Sequence, residues 1–125
     1  MNTRTGADHE TAFVSDYVRA GVNAPADFEN PDNLALDKNG NLYIAEDEDV
    51  PHAGNDIWVA VPSNGDNRTA AVTVRFASLY DCVAEPTGIY FDKAGARLFV
   101  TVQHRGGPDT RDLGMFITAP NPRNR

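Results

Sequence analysis

Apolar and polar positions alternate over short stretches of this chain, and turn-forming residues end each stretch after a few positions. Residues 71–79 (AVTVRFASL) are the clearest case: Val72, Val74 and Phe76 fall on one face of a strand. Residues 56–61 (DIWVAV) are an unbroken run of strand formers. Residues 33–36 and 41–45 read as two strands joined by the turn 37–40, where Gly40 supplies the positive φ that closes such a loop. Residues 88–91 and 97–102 read the same way around the turn 92–95, and residues 114–118 (GMFIT) form a seventh strand. Residues 12–20 alternate loosely and suit one more strand or a short helix, with the strand preferred, and 62–68 (PSNGDNR) reads as a turn cluster. No segment carries a helical period, and 8 prolines and 10 glycines punctuate the chain. The predicted fold class is all-β.

The two hairpins are copies. In FENPDNLALDKNGNLYIAED (28–47) and AEPTGIYFDKAGARLFVTVQ (84–103), Pro31 matches Pro86, Leu34 matches Ile89, Asp37 matches Asp92, Lys38 matches Lys93 and Gly40 matches Gly95. The offset is 86 − 31 = 55 residues. Four antiparallel strands followed by a fresh first hairpin is the pattern of a β-propeller, whose blades run to roughly 40–50 residues. A seven-stranded sandwich is the other architecture, but it has no need of an internal copy. The expected organisation is a leader at 1–11, propeller blades over 12–118 and a tail at 119–125. Within the blades, 12–27 ends a preceding blade or connects to it, 28–80 is a full four-stranded antiparallel blade and 81–118 a partial one. Propellers close with about 4–8 blades, so about two blades leave apolar faces to cover. Either the remaining blades belong to a longer chain, or several copies assemble; three copies would close a six-bladed ring.

A net charge of −7 argues against nucleic acid and anionic membrane as partners. No run of about 18 apolar residues predicts a membrane-spanning helix, and residues 1–10 lack the apolar centre of a signal peptide. A single cysteine, Cys82, excludes an internal disulfide.

In a propeller blade the chain enters the first strand and leaves the second at the same face of the ring. One mouth of the channel should therefore gather Glu29, Asn30, Asp32, Asn33, Glu46, Asp47 and Glu48 from the first unit, with Glu85, Thr87, Gln103, His104 and Arg105 from the second. Hard divalent cations take several carboxylate and amide oxygens, so Asp32, Asn33, Glu46 and Glu85 are candidate metal ligands. The same residues also suit a structural role, as strand caps and a solvated acidic loop. His104 has the chemistry to orient an anion or donate a proton, and Arg105 to bind a phosphate oxygen; both also suit a polar loop. The 37–41 run (DKNGN) lacks the spacing of a calcium loop and reads as a hairpin turn. No serine, histidine and aspartate relay is visible, and the catalytic residues stay unassigned.

Residues 28–106 resemble the C-terminal part of the PhoX-type alkaline phosphatases. The resemblance rests on Pro31-Asp32-Asn33, Glu85-Pro86-Thr87-Gly88 and Val102-Gln103-His104, with Arg105 standing where that family has proline. It implies a six-bladed propeller, secreted or periplasmic, that hydrolyses phosphate esters at a cluster of Ca²⁺ and Fe³⁺ in its channel. It also implies that Asp32, Asn33 and Glu85, then Glu46 and His104, line that cluster, and that most of the ligands belong to blades this chain lacks. Two other readings are a non-catalytic calcium-binding propeller module and a one-metal hydrolase like regucalcin or gluconolactonase.

Overall fold

The protein is described here by a computed structural model covering residues 14–47, 55–64, 66–81, 83–104 and 112–118. The expected leader, the tail, Glu48, Cys82 and Arg105 lie outside the described residues. Two antiparallel sheets make up the described chain. The first has the order β1 (Pro31–Leu36), β2 (Leu42–Glu46), β3 (Asp56–Ser63), β4 (Asp66–Ser78). The second has the order β5 (Glu85–Phe91), β6 (Arg97–Gln103), β7 (Leu113–Thr118). The fold is all-β, and the two sheets have the strand order, direction and face-to-face packing of neighbouring propeller blades.

The hairpin turns follow from their aspartates. The Asp37 carboxylate accepts hydrogen bonds from the Asn39 and Asn41 amides at 2.8 and 2.9 Å, and Gly40 turns the chain with φ of 84°. Asp92 repeats this toward Ala96 at 2.8 Å. The second turn is one residue longer: the Asp37 amide bonds to the Asn41 carbonyl, whereas that of Asp92 reaches Arg97. Leu36 therefore pairs with Leu42, and Phe91 with Leu98. The offset of 55 between the first strands becomes 98 − 42 = 56 between the second strands.

Two clusters make the core, one on each face of the first sheet. On one face Ala45 and Ile57 pack against Ile89, Leu98, Val100 and Val102 of the second sheet. Tyr43 sets its edge against Phe76 and Phe91, with ring centres 5.2 and 5.0 Å apart. On the other face Ile44, Trp58 and Ala60 are covered by Ala24 and Phe28, with Tyr17 and Val18 alongside. Trp58 is fully buried there, edge-on to Phe28.

That second cover corrects an expectation. The described part of the strand expected over 12–20 forms no strand beyond one bridge between Ala20 and Ala24. Asn23 is the physical reason: its side chain accepts from the Arg19 amide at 2.7 Å and donates to the Tyr17 and Ala70 carbonyls. Gly21, with φ of 70°, lets the chain turn back. The segment 14–30 becomes a strap tied to β4 by Ala70 N–H to the Tyr17 carbonyl and by Ser15 Oγ to the Arg68 carbonyl. It occupies much of the outer edge of that sheet, where unpaired backbone groups would otherwise invite pairing. Arg75 fastens the strap at a second point. Its guanidinium bridges Asp56 at 2.6 Å and Asp27 at 2.5 Å, and lies 4.7 Å over the Trp58 ring. The turn cluster expected at 62–68 is also tighter than its composition suggests, because β3 and β4 run into it from both sides.

Candidate functional site

The strand entries and exits do meet at one end of the sheets. The two ends of the first hairpin are tied together by the Asp47 amide bonding to the Asn30 carbonyl at 3.0 Å. The second hairpin brings Glu85 and Gln103 opposite each other at the same end.

Glu85 is the centre of the cluster. Its side chain is 14% exposed, and His104 Nε2 lies 4.0 Å from its Oε1. Burial pushes the Glu85 carboxyl above its ordinary value, and a hydrogen bond shared with Asp47 and the charges of Asp47 and Asp32 push it further; His104 opposes them. Asp47 and Glu85 come from different blades, so the packing of the two sheets creates this carboxylate pair. His104 sits with φ of 56°, a left-handed conformation that costs a non-glycine residue about 1–2 kcal/mol. Asp32 accepts a hydrogen bond from Asn33 Nδ2 at 2.8 Å.

Asn33 does more than stand beside Asp32. Its Oδ1 accepts from Thr87 Oγ1 at 2.9 Å and also from the Gly88 amide. Gly88, with φ of 53°, sits in an irregularity of β5 between Thr87 and Tyr90 that aims this amide at β1. A side chain at 88 would meet Thr101 Oγ1 at 2.6 Å.

Glu46 is placed elsewhere. Strand alternation turns its side chain to the strap face, where it is 2% exposed and accepts from the Glu29 amide at 2.9 Å. Burial raises its carboxyl, with Asp56 adding to the rise; the Glu29 amide and the neighbouring Trp58 indole work against it. That indole N–H closes no hydrogen bond of normal geometry among the described residues.

The site thus brings together Asp32, Asn33, Glu85 and His104 of the sequence candidates, and sets Glu46 on another face. Asp47, one residue beyond Glu46, takes the place beside Glu85. Its signal was available in the chain: strand alternation puts only one of two neighbouring acids on a given face. The oxygen donors are of the type hard cations take. Their number falls short, since no three His, Cys, Asp or Glu side chains among the described residues converge as a metal site. At the opposite end, a groove of about 430 Å³ runs between β1 and β5, past Leu36, Lys38, Phe91 and Lys93. Its two aspartates, Asp37 and Asp92, are engaged by their own turn amides, so its size does not make it the seat of acid chemistry.

No curated protein and no solved structure matches the chain. A family model, that of the alkaline phosphatase PhoX, matches residues 4–106, taking in the strap and both hairpins. With most of its 125 residues inside that match, the chain belongs to the PhoX alkaline phosphatase family.

Proposed function

We propose that this chain forms two blades and part of the channel wall of a metal-dependent phosphatase that hydrolyses phosphate esters. The observation that carries the reading is the Glu85–Asp47 pair, two carboxylates from different blades held against each other with Asp32 nearby. Such a pair is relieved by a cation, and phosphate-ester hydrolysis uses cations to bind phosphate and activate an oxygen nucleophile. On this reading Glu85, Asp47 and Asp32 are partial ligands for Ca²⁺, with Fe³⁺ as the second metal of the family resemblance. His104, and Arg105 beyond the described residues, stand beside the phosphate. The remaining ligands come from further blades, supplied by a longer chain or by other copies, and two blades alone are inactive. The parent protein works in the periplasm or outside the cell.

A second reading is a non-catalytic module that binds Ca²⁺ without turnover, favoured by the all-oxygen character of Asp32, Asp47 and Glu85 at the blade boundary. Elemental analysis of the purified chain, with p-nitrophenyl phosphate turnover of the completed ring measured with and without added Ca²⁺ and Fe³⁺, separates the two. Iron retention with turnover supports the phosphatase reading, and calcium uptake without turnover by a completed ring supports the second. A chain that takes up neither metal sinks both.

A further inference from the structure

We infer that Asn33 is a positioning residue: it latches the entry of β1 to the entry of β5 and thereby sets Asp32 against Glu85. The role for Asp32 and Glu85 rests on the metal reading above, whereas the latch stands on its own geometry.

An amide side chain offers one carbonyl oxygen with two lone pairs and one NH₂ with two donors. In Asn33 both acceptor positions of the oxygen are engaged across the blade boundary, by the Thr87 hydroxyl and the Gly88 amide. The NH₂ turns back to the Asp32 carboxylate at 2.8 Å. One side chain therefore holds three groups: the neighbouring acid on its own strand, and a hydroxyl and an amide on the next blade. A cation ligated by Asn33 Oδ1 would have to displace a latch bond.

The second blade is built to receive this latch. Thr87 Oγ1 is left to face Asn33, while the Thr87 carbonyl is bonded by Thr101 Oγ1 at 2.7 Å. Gly88 takes the backbone conformation that points its amide outward, and Thr101 closes the space a side chain would need. Glu85 lies two residues before Thr87 on the same strand. Fixing Thr87 and Gly88 against Asn33 therefore fixes the distance between the Glu85 and Asp32 entries. In the internal copy, Asn33 corresponds to Gly88 at the offset of 55, so the second blade carries no such latch at this position.

The test is a double-mutant cycle on the whole chain with Asn33→Ala, Thr87→Val and their combination, plus Asn33→Asp as the conservative variant. Two quantities are measured: hydrogen exchange of the Gly88 amide by NMR, and Ca²⁺ affinity by titration calorimetry. Asn33→Ala is expected to speed Gly88 exchange about tenfold, the scale of one lost hydrogen bond. Asn33→Asp, which keeps the acceptor oxygens, is expected to retain Gly88 protection. Thr87→Val is expected to weaken Ca²⁺ binding in the same direction as Asn33→Ala, and the double variant to be no weaker than the worse single one. Unchanged Gly88 exchange in Asn33→Ala overturns the latch. Weaker Ca²⁺ binding in Asn33→Ala together with unchanged or tighter binding in Thr87→Val makes Asn33 a ligand and overturns its positioning role. Absence of Ca²⁺ binding by the unmodified chain overturns the metal reading and the positioning role with it, while Gly88 exchange still decides the latch.

Discussion

The β1–β2 and β5–β6 hairpins open their turns with the same Asp-Lys-x-Gly, at 37–40 and 92–95, yet the second regains its partner strand one residue later. Pro31 consequently faces Glu46 in the first copy, and Pro86 faces Val102 in the second. The two positions point to the same side of their sheets and meet different covers. Val102 meets the sheet of the preceding blade at Ala45 and Ile57, on strands β2 and β3, which are paired on both sides within that sheet. Glu46 meets the strap, a loop with an unpaired amide at Glu29, and accepts its hydrogen bond. Where a blade covers a blade, an aliphatic side chain suffices; where a loop covers a blade, a buried acceptor is needed to satisfy the loop's backbone. The far side of the second sheet is a third case. Tyr90 stacks on Phe99 there with ring centres 4.9 Å apart, and Tyr90 remains 56% exposed.

The most damaging way to break this comparison is to remove the centre of the strap-covered face. Trp58→Ala deletes a fully buried ring that touches Phe28 and lies under Arg75. It should cost about 3–5 kcal/mol, read by denaturant unfolding, and should speed hydrogen exchange across residues 17–28 before it does so in β5–β7. Equal loosening of both sheets would show that the strap is no distinct cover. The next effect lies in the glycines. Gly88→Ala meets both a left-handed backbone and Thr101, and should cost about 2 kcal/mol or more. Gly40→Ala has a left-handed backbone with open space around it, and should cost about 1 kcal/mol. A thermal shift equal for both would remove the argument for a tight blade contact at 88.

Much of this architecture was legible in the chain. The seven strands, both Asp-Lys-x-Gly turns and the repeat follow from alternation and turn chemistry, which are local. The one-residue slip was not, because identity between the copies stops at Gly95 and only the pairing of Leu98 with Phe91 reveals it. A shift of one residue moves every later side chain of β6 to the other face, which is how Val102, and not Thr101, takes the place that Glu46 holds in the first copy. The strap was hidden for another reason: residues 14–20 alternate like a strand, and Asn23, 47 residues from its partner Ala70, decides otherwise. Long-range side-chain bonds of this kind leave no local period. Asn33 beside an acid at a strand entry has the composition of a metal site, while the bonds of its oxygen to Thr87 and Gly88, more than 50 residues away, leave no trace in any local pattern.

A smaller effect tests the two covers through pH. The Glu46 carboxyl lies above its ordinary value of 4.5, so the folded protein holds its proton more tightly than the unfolded chain. Stability from this group is then fully present below the unfolded value and is lost as pH rises through the folded one. Glu46→Gln keeps an acceptor for the Glu29 amide and removes the titration. Its unfolding free energy should exceed that of the native sequence at neutral pH, by about 1 kcal/mol or less, and the two should converge in acid. Parallel curves would mean that Glu46 is no more costly to ionise under the strap than in the unfolded chain.

The smallest expected change in stability is the most informative about the site. Glu85 is raised for a related reason, by burial and then by Asp47 and Asp32, and the same sign applies: its ionisation costs stability as pH rises through its folded value. Glu85→Gln should therefore leave the metal-free fold unchanged or slightly firmer at neutral pH, by less than Glu46→Gln does. The same change removes a charge from the proposed oxygen-donor set and should weaken Ca²⁺ retention about tenfold or more. A residue held in a costly state for the sake of a ligand shows both effects together: better stability without the ion and poorer binding with it. If Glu85→Gln lowers the stability of the metal-free chain and leaves Ca²⁺ retention untouched, the Glu85–Asp47 contact is a structural tie between blades, and the phosphatase reading loses the observation on which it stands.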